Sequence, residues 1–200
     1  MANSLGMPNR YGYTQKESSA TTAPDPIKHL AHAPASGTQR KLRVLLVMTR
    51  VTIGGDTNVV LDLADYLNQH PGYEVHMAAG PVPESEVDLT HLVHERAIPF
   101  TFIPHLVNRI DPWTNLKAVM ELRKLMVEGQ FDIVHTHCSV AGVMGRAAAA
   151  AARVPVVVHH IHGWGVQEDM SSTVKTIYLT LEKLCAKVTD RLVDTMLVAD

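Results

Sequence analysis

The alternation of short apolar runs with amphipathic stretches, sustained from Lys41 to Asp200, restricts the fold more than any other feature of this chain. Leu42–Thr49 is almost unbroken apolar, as a strand buried on both faces must be. Gly54 and Gly55 follow, then a stretch over Thr57–Gln69 with Val59, Val60, Leu63 and Leu67 at helical spacing. Tyr73–Ala79 reads as a second strand, and Ser85-Glu86-Val87-Asp88 resembles a capping box opening a short helix to Glu95. Ile98–Ile103 is a third strand with Pro99 near its start. Asp111-Pro112 pairs an N-cap with a first-turn proline. The helix it opens carries Leu116, Val119, Met120 and Leu125 on one face and stops at Gly129. Phe131–His137 is a fourth strand; Ser139 then caps a small-residue helix over Val140–Arg153. Val154–His160 is a fifth strand. Ser171 or Ser172 opens a helix to Thr189, with Val174, Ile177, Tyr178, Leu181, Leu184 and Val188 in register, and Leu192–Val198 is a sixth strand.

Strands alternating with helices across short connections imply an α/β, Rossmann-like parallel sheet with helices on both faces. Right-handed crossovers place every strand's C-terminal end on one edge, where open α/β sheets bind ligands. Three loops therefore meet there: Thr49–Asp56, His137–Ser139 and His159–Gly165. Residues 1–40 differ in kind. They are rich in Ala, Ser, Thr, Pro and Asn, bury too little apolar surface to offset ordering, and are expected to be a disordered tail.

Composition closes off several classes of function. A net charge of −2 gives no basic footprint, so nucleic acid is not an expected partner. The two cysteines, Cys138 and Cys185, suit reduced thiols in the cytoplasm better than a disulfide framework. No secretion signal opens the chain, and no apolar run reaches the ~18–20 residues of a membrane span. The cations Arg109, Lys117, Arg123 and Lys124 lie on or near the third helix. They read first as a solvated face, and second as peripheral contact with the inner face of a membrane should the acceptor be a lipid.

Each converging loop carries its own chemistry. Gly54-Gly55 lets backbone N–H groups approach a phosphate or a sugar hydroxyl at a helix N-terminus, although it is neither a dinucleotide fingerprint nor a phosphate loop. His135 and His137 alternate onto one strand face, about 7 Å apart. His137 is nearer the crevice, and His135 packs inside. Ser139 and the N–H groups after it offer another anion or hydroxyl site. His162 stands just past the fifth strand; Gly163 and Gly165 free the backbone, and Trp164 offers a flat face for a sugar ring or base. No Cys-x-x-Cys or His-Glu-x-x-His spacing occurs, so no metal is expected, and neither Cys138 nor Ser139 sits in a recognisable nucleophile motif.

Taken together, IGGDTNVVLDLADYL, FDIVHTHCSVAGVMGRAAAAAARVPVVVHHIHGWG and LEKLCAKVTDRLVDTMLVAD resemble, in order, the N-terminal domain of family 4 glycosyltransferases, retaining enzymes of the GT-B fold. The resemblance covers 41–200. It implies a two-domain enzyme with an acceptor-side N-terminal half, and a C-terminal half that binds a nucleotide-diphosphate sugar. It implies transfer of the sugar to an acceptor hydroxyl (on a glycan, a lipid or a small molecule) with retention, the leaving phosphate helping to take the acceptor's proton. No cofactor or metal is implied. Gly54 and Gly55 match the family's glycine loop, near the donor phosphates and the acceptor. His162 matches the histidine of its His-Gly element, expected beside the transferred sugar, and His137 a supporting histidine. Asp56-Thr57-Asn58 departs from the commonest continuation after the glycines. The family's Glu-x7-Glu signature does not occur in this sequence. The 200-residue chain is therefore expected to lack the donor-binding domain and to have little or no transferase activity alone. A non-catalytic module binding an acceptor or partner, and a metal-dependent hydrolase using the histidines, are the competing classes.

Overall fold

A computed structural model describes residues 40–109, 111–163 and 171–194. The disordered-tail expectation for 1–40 thus falls, apart from Arg40, outside the described residues, as do Trp164, Gly165 and the last part of the expected sixth strand. Six strands, β1 (Leu42–Met48), β2 (Tyr73–Ala79), β3 (Phe100–Phe102), β4 (Ile133–His137), β5 (Val156–Ile161) and β6 (Arg191–Asp194), form one sheet in the order β3-β2-β1-β4-β5-β6. Every pairing is parallel. The order reverses between β1 and β4, and that switch point is where such sheets open a crevice for ligands.

Strand β1 shows why the sheet is central. Leu45 and Val47 pack into one core with Leu122 and Met126 of α3 (Pro112–Gly129) and Ala141 and Ala148 of α4 (Ser139–Ala152). Val44, Leu46 and Met48 point the other way, onto Val60, Leu61 and Ala64 of α1 (Gly55–Gln69) and Val93 of the short α2 (Thr90–Glu95). With both faces covered, the strand has to be apolar at every position. Helix α4 lies close to the sheet because its small residues allow it. A Cβ at Gly142 would run into the His159 ring, and one at Gly145 into Thr136. Helix α5 (Ser172–Ala186) packs beside α4, and Nη2 of the buried Arg146 donates to both carboxylate oxygens of Glu182 at 2.8 Å.

Several local expectations are corrected. The 85–88 segment opens no helix. Pro81 and Pro83 hold the chain out of helix, and Val51–Thr52 draws 87–89 alongside: Thr52 bridges Asp88, the Thr52 hydroxyl donates to the Val87 carbonyl, and Leu89 N–H donates to the Val51 carbonyl. Helix α2 starts only at Thr90. Strand β3 shortens to three residues behind Pro99. The N-cap of α4 is Cys138, and Ser139 is its first helical residue with no side-chain cap. Asp111 does cap α3, accepting from Trp113 N–H and Thr114 N–H, yet the face that helix buries is Ala118, Leu122 and Met126, while Leu116 and Met120 are exposed. In α5 the periodic stripe is real but mostly uncovered: Cys185 is the buried residue, and Ile177 and Leu184 are exposed.

Candidate functional site

The loops after β1, β4 and β5 do meet at one edge of the sheet. The Cys138 thiol donates to Asp56 Oδ2 at 3.2 Å, joining the β4 loop to the first turn of α1. Cys138 N–H donates to the His160 carbonyl at 3.3 Å, and His137 Nδ1 lies 3.0 Å from His162 Nε2, joining β4 to the β5 loop. Beside these contacts lies a cleft of about 350 Å³ with Thr49, Arg50, Asp56, Asn108, Ser139 and Tyr178 on its walls.

The glycine pair sets the first wall. Gly54 is extended, at φ −179° and ψ 158°, so backbone freedom is not what it supplies; a Cβ there would collide with the Asp56 carboxylate. Gly55 begins α1, with open space where a Cβ would be. The first turn of α1 presents its N-terminal dipole to the Asp56 carboxylate, a favourable pairing. Arg50 is the one Lys or Arg on the cleft wall among the described residues, and Glu86 Oε2 already engages its Nε at 2.5 Å. The cleft therefore offers the Asp56 carboxylate, the side chains of Thr49, Thr52, Ser139 and Tyr178 with their hydroxyls and the Asn108 amide, a lining suited to sugar hydroxyls, with one cation, Arg50, shared with Glu86.

The second wall is a strained turn. Cys138 sits at φ 63° and ψ 166°, a conformation that is nearly glycine's alone and costs other residues about 1–3 kcal/mol. Its hydrogen bonds to Asp56 and His160, with Gly142 N–H donating to its carbonyl, hold it there. The turn frees the Ser139 hydroxyl to line the cleft and aims the first N–H groups of α4 towards the same edge. Burial, and secondarily the Asp56 carboxylate, raise the Cys138 thiol pKa far above its ordinary range, so it is no thiolate nucleophile.

Behind the cleft, on the α1 side of the sheet, runs a stack of imidazoles. His135 and His137 alternate onto this face of β4, and His160 is the register partner of His137 on β5. His160 and His162 stack at 4.0 Å between centroids, and His135 and His137 at 4.2 Å. Burial, then the neighbouring imidazoles, hold His135 down to about 4 and His137 well below its ordinary value. Burial also lowers His160 and His162, with Asp56 pulling His162 partly back. On the opposite face His159, hydrogen-bonded to Thr136, is lowered to about 3 by burial and then by Arg146. All five are thus neutral near pH 7.

The Nε2 atoms of His135, His137 and His160 have no hydrogen-bond partner among the described residues, and ligand nitrogens of these three lie within 4.8 Å of one another. They are the residues with the chemistry to hold a metal. A spacing search passes over them because the third ligand comes from the adjacent strand. Yet the His135 and His160 rings are only 14° from parallel, and the His135 and His137 rings 31°. Lone pairs of stacked rings run side by side, so convergence on one ion requires the rings to turn towards each other.

Of the residues singled out from sequence, Ser139 lines the cleft. Gly54 and Gly55 form the turn that carries Asp56 into it. His137 and His162 stand behind it, bonded to each other, and Gly163 is exposed at the loop beyond. Trp164 lies outside the described residues. Sequence reasoning placed the Thr49–Asp56 loop here without singling out Arg50 or Asp56, and passed over Asn108 and Tyr178, which reach the cleft from other segments. It also passed over His160, which strand alternation with His162 would have placed on the same face.

Comparison with known proteins agrees with this geometry. Residues 54–195, well over half of the chain, match the family described as the glycosyl transferase 4-like domain. Over 92 residues the chain is 41% identical to UDP-Gal:alpha-D-GlcNAc-diphosphoundecaprenol alpha-1,3-galactosyltransferase of Escherichia coli, covering 46% of this chain and 24% of that relative. The chain thus spans about a quarter of the curated relative's length. MurG of Acinetobacter baumannii shares the fold at a TM-score of 0.57 and 17% identity, covering 80% of this chain and 42% of that one. The UDP-GlcNAc 2-epimerase of Neisseria meningitidis, solved bound to UDP-GlcNAc, does so at 0.55 and 11%, covering 74% and 39%. The chain belongs to the glycosyl transferase 4-like domain family.

Proposed function

We propose that this chain is the acceptor-side domain of a glycosyltransferase that moves a sugar from a nucleotide-diphosphate donor to an acceptor hydroxyl with retention, and that the acceptor is a sugar carried on a lipid diphosphate. The observation that carries the reading is the cleft: a carboxylate, a hydroxyl and an amide from Asp56, Ser139 and Asn108, with its lone arginine already paired to Glu86. Such a lining favours a neutral polyol over a diphosphate. Cations to offset the donor's charge would come from a C-terminal donor-binding domain of the kind the family resemblance implies. The E. coli relative supports the acceptor class, since its printed name specifies a diphosphoundecaprenol-linked sugar.

In this reading Asp56 accepts from the acceptor sugar, and Ser139 with the α4 N-terminus orients its hydroxyls. His162 donates one hydrogen bond to the transferred sugar, while His137 fixes the His162 ring. The protein's contribution is positioning and charge stabilisation. The reaction takes place in the cytoplasm, beside the membrane that holds the acceptor. No described helix is long and apolar enough to cross that membrane.

The test is calorimetry of the chain with a short-chain prenyl diphosphate carrying N-acetylglucosamine. Asp56→Asn and Ser139→Ala are each expected to weaken binding roughly tenfold, the worth of one hydrogen bond to a charged or well-placed group. Binding of nucleotide sugars but of no lipid-linked sugar would overturn the acceptor assignment. The anomeric configuration of the product, read by NMR from the enzyme carrying its donor domain, tests retention.

A further inference from the structure

Helix α3 is apolar on two sides. One stripe, Ala118, Leu122 and Met126, is buried against the sheet. At 100° per residue, Trp113, Leu116, Met120 and Val127 fall within an arc of about 60° on the roughly opposite side. They are 77%, 50%, 62% and 50% exposed. Basic residues flank this outer stripe: Arg123 on one side, Lys117 and Lys124 on the other, all exposed. The acids beside them are Glu128, 3.9 Å from Lys124, and Glu121, whose carboxylate engages His105. An outward apolar stripe bordered by lysine and arginine, with a tryptophan at one end, is the composition of a helix that lies in a membrane interface.

We infer that the outward face of α3 is a docking surface for an anionic lipid bilayer. The occupant follows from charge. Three cations bordering the stripe match an anionic headgroup layer, whereas pairing with the same face of a second copy would set like charges together. Docking does not depend on sugar transfer.

The test uses the full chain and vesicles of phosphatidylcholine with or without phosphatidylglycerol, in a Trp164→Phe background so that fluorescence reports Trp113 alone. Wild type is expected to sediment with the anionic vesicles and not with the neutral ones, with a blue shift of Trp113 emission. K117E/R123E/K124E is expected to weaken binding roughly 100-fold or more, at about tenfold or less per basic residue. W113S/L116S/M120S is expected to abolish it, with helix content unchanged by circular dichroism; these side chains are exposed, so the fold does not depend on them. Failure of wild type to bind anionic vesicles, or equal binding by both triple variants, overturns the proposal. A lipid-free dimer that W113S/L116S/M120S converts to monomer overturns it too, assigning the face to a second copy. The vesicles hold no sugar acceptor, so vesicle binding without acceptor binding would leave docking standing and remove the acceptor reading, and the reverse result would remove docking alone.

Discussion

Strand β1 and strand β6 occupy the middle and the end of one sheet and have opposite surroundings. Leu45, Leu46, Val47 and Met48 are fully buried, with helices on both sides. All four residues of β6 are exposed, and α5 before it buries Cys185 while Ile177, Leu179 and Leu184 face outward. Both regions have apolar sequences. The difference shows that periodicity decides which side chains share a face, while what covers that face is settled by the rest of the molecule. The lightly covered end is tied to the interior by the Arg146–Glu182 pair, by the β5–β6 ladder and by the Asp190 carboxylate, which accepts from Val157 N–H at 2.8 Å, and the histidine stack on β4 and β5 lies between the two regions.

The comparison breaks most readily through the core. Leu46→Ala should cost between about 2 and 5 kcal/mol, because a cavity opens between β1 and α1. Leu192→Ala in β6 should stay within about 0.5 kcal/mol. Equal losses in urea melts would mean that the end of the sheet is as tightly packed as its middle. Next in size is Glu182→Ala, expected to cost about 3 kcal/mol by leaving the buried Arg146 charge unpaired. Hydrogen exchange should then show α5 opening before α1; uniform loss of protection would show that the two regions unfold as one.

Acidity probes the seam between them. The folded values of His135 and His159 lie near 4 and 3, below the unfolded value of about 6.5. As pH falls below about 6.5 the unfolded chain takes up protons that the folded chain refuses, so stability is full above that pH and declines towards the folded values. Each of the two should contribute a loss on the order of 2 kcal/mol between pH 7 and pH 5. Urea midpoints at those pH values read this directly, and His159→Gln should flatten the slope. An unchanged midpoint would show that His135 and His159 are already protonated or open to water.

The alternation of elements, the parallel sheet and the meeting of three loops were legible because each rests on local pattern plus one handedness rule. Asp111-Pro112 likewise announced the start of α3 through chemistry contained in four residues. The 85–88 segment misled because a capping box describes only its own neighbourhood, and here the Val51–Thr52 backbone, more than thirty positions away, outcompetes it. The face of α3 was misread for a related reason: the helix has apolar residues on two sides, and spacing alone does not say which meets the sheet. At the site, glycines and histidines were visible because they cluster in the converging loops. Asn108 and Tyr178 are ordinary residues in segments away from those loops, and only the fold brings them to the cleft beside Asp56.

The backbone of Cys138 places this chain in a bind between durability and use. If stability alone governed that position, glycine would occupy it, since glycine rests without penalty where cysteine is forced. A glycine, however, carries no thiol to hold Asp56 against the β4 turn, and the carboxylate would be at liberty to swing out of the cleft. Variants selected only for heat resistance should therefore gather at this residue, and they would be expected to melt later and to hold sugars less well.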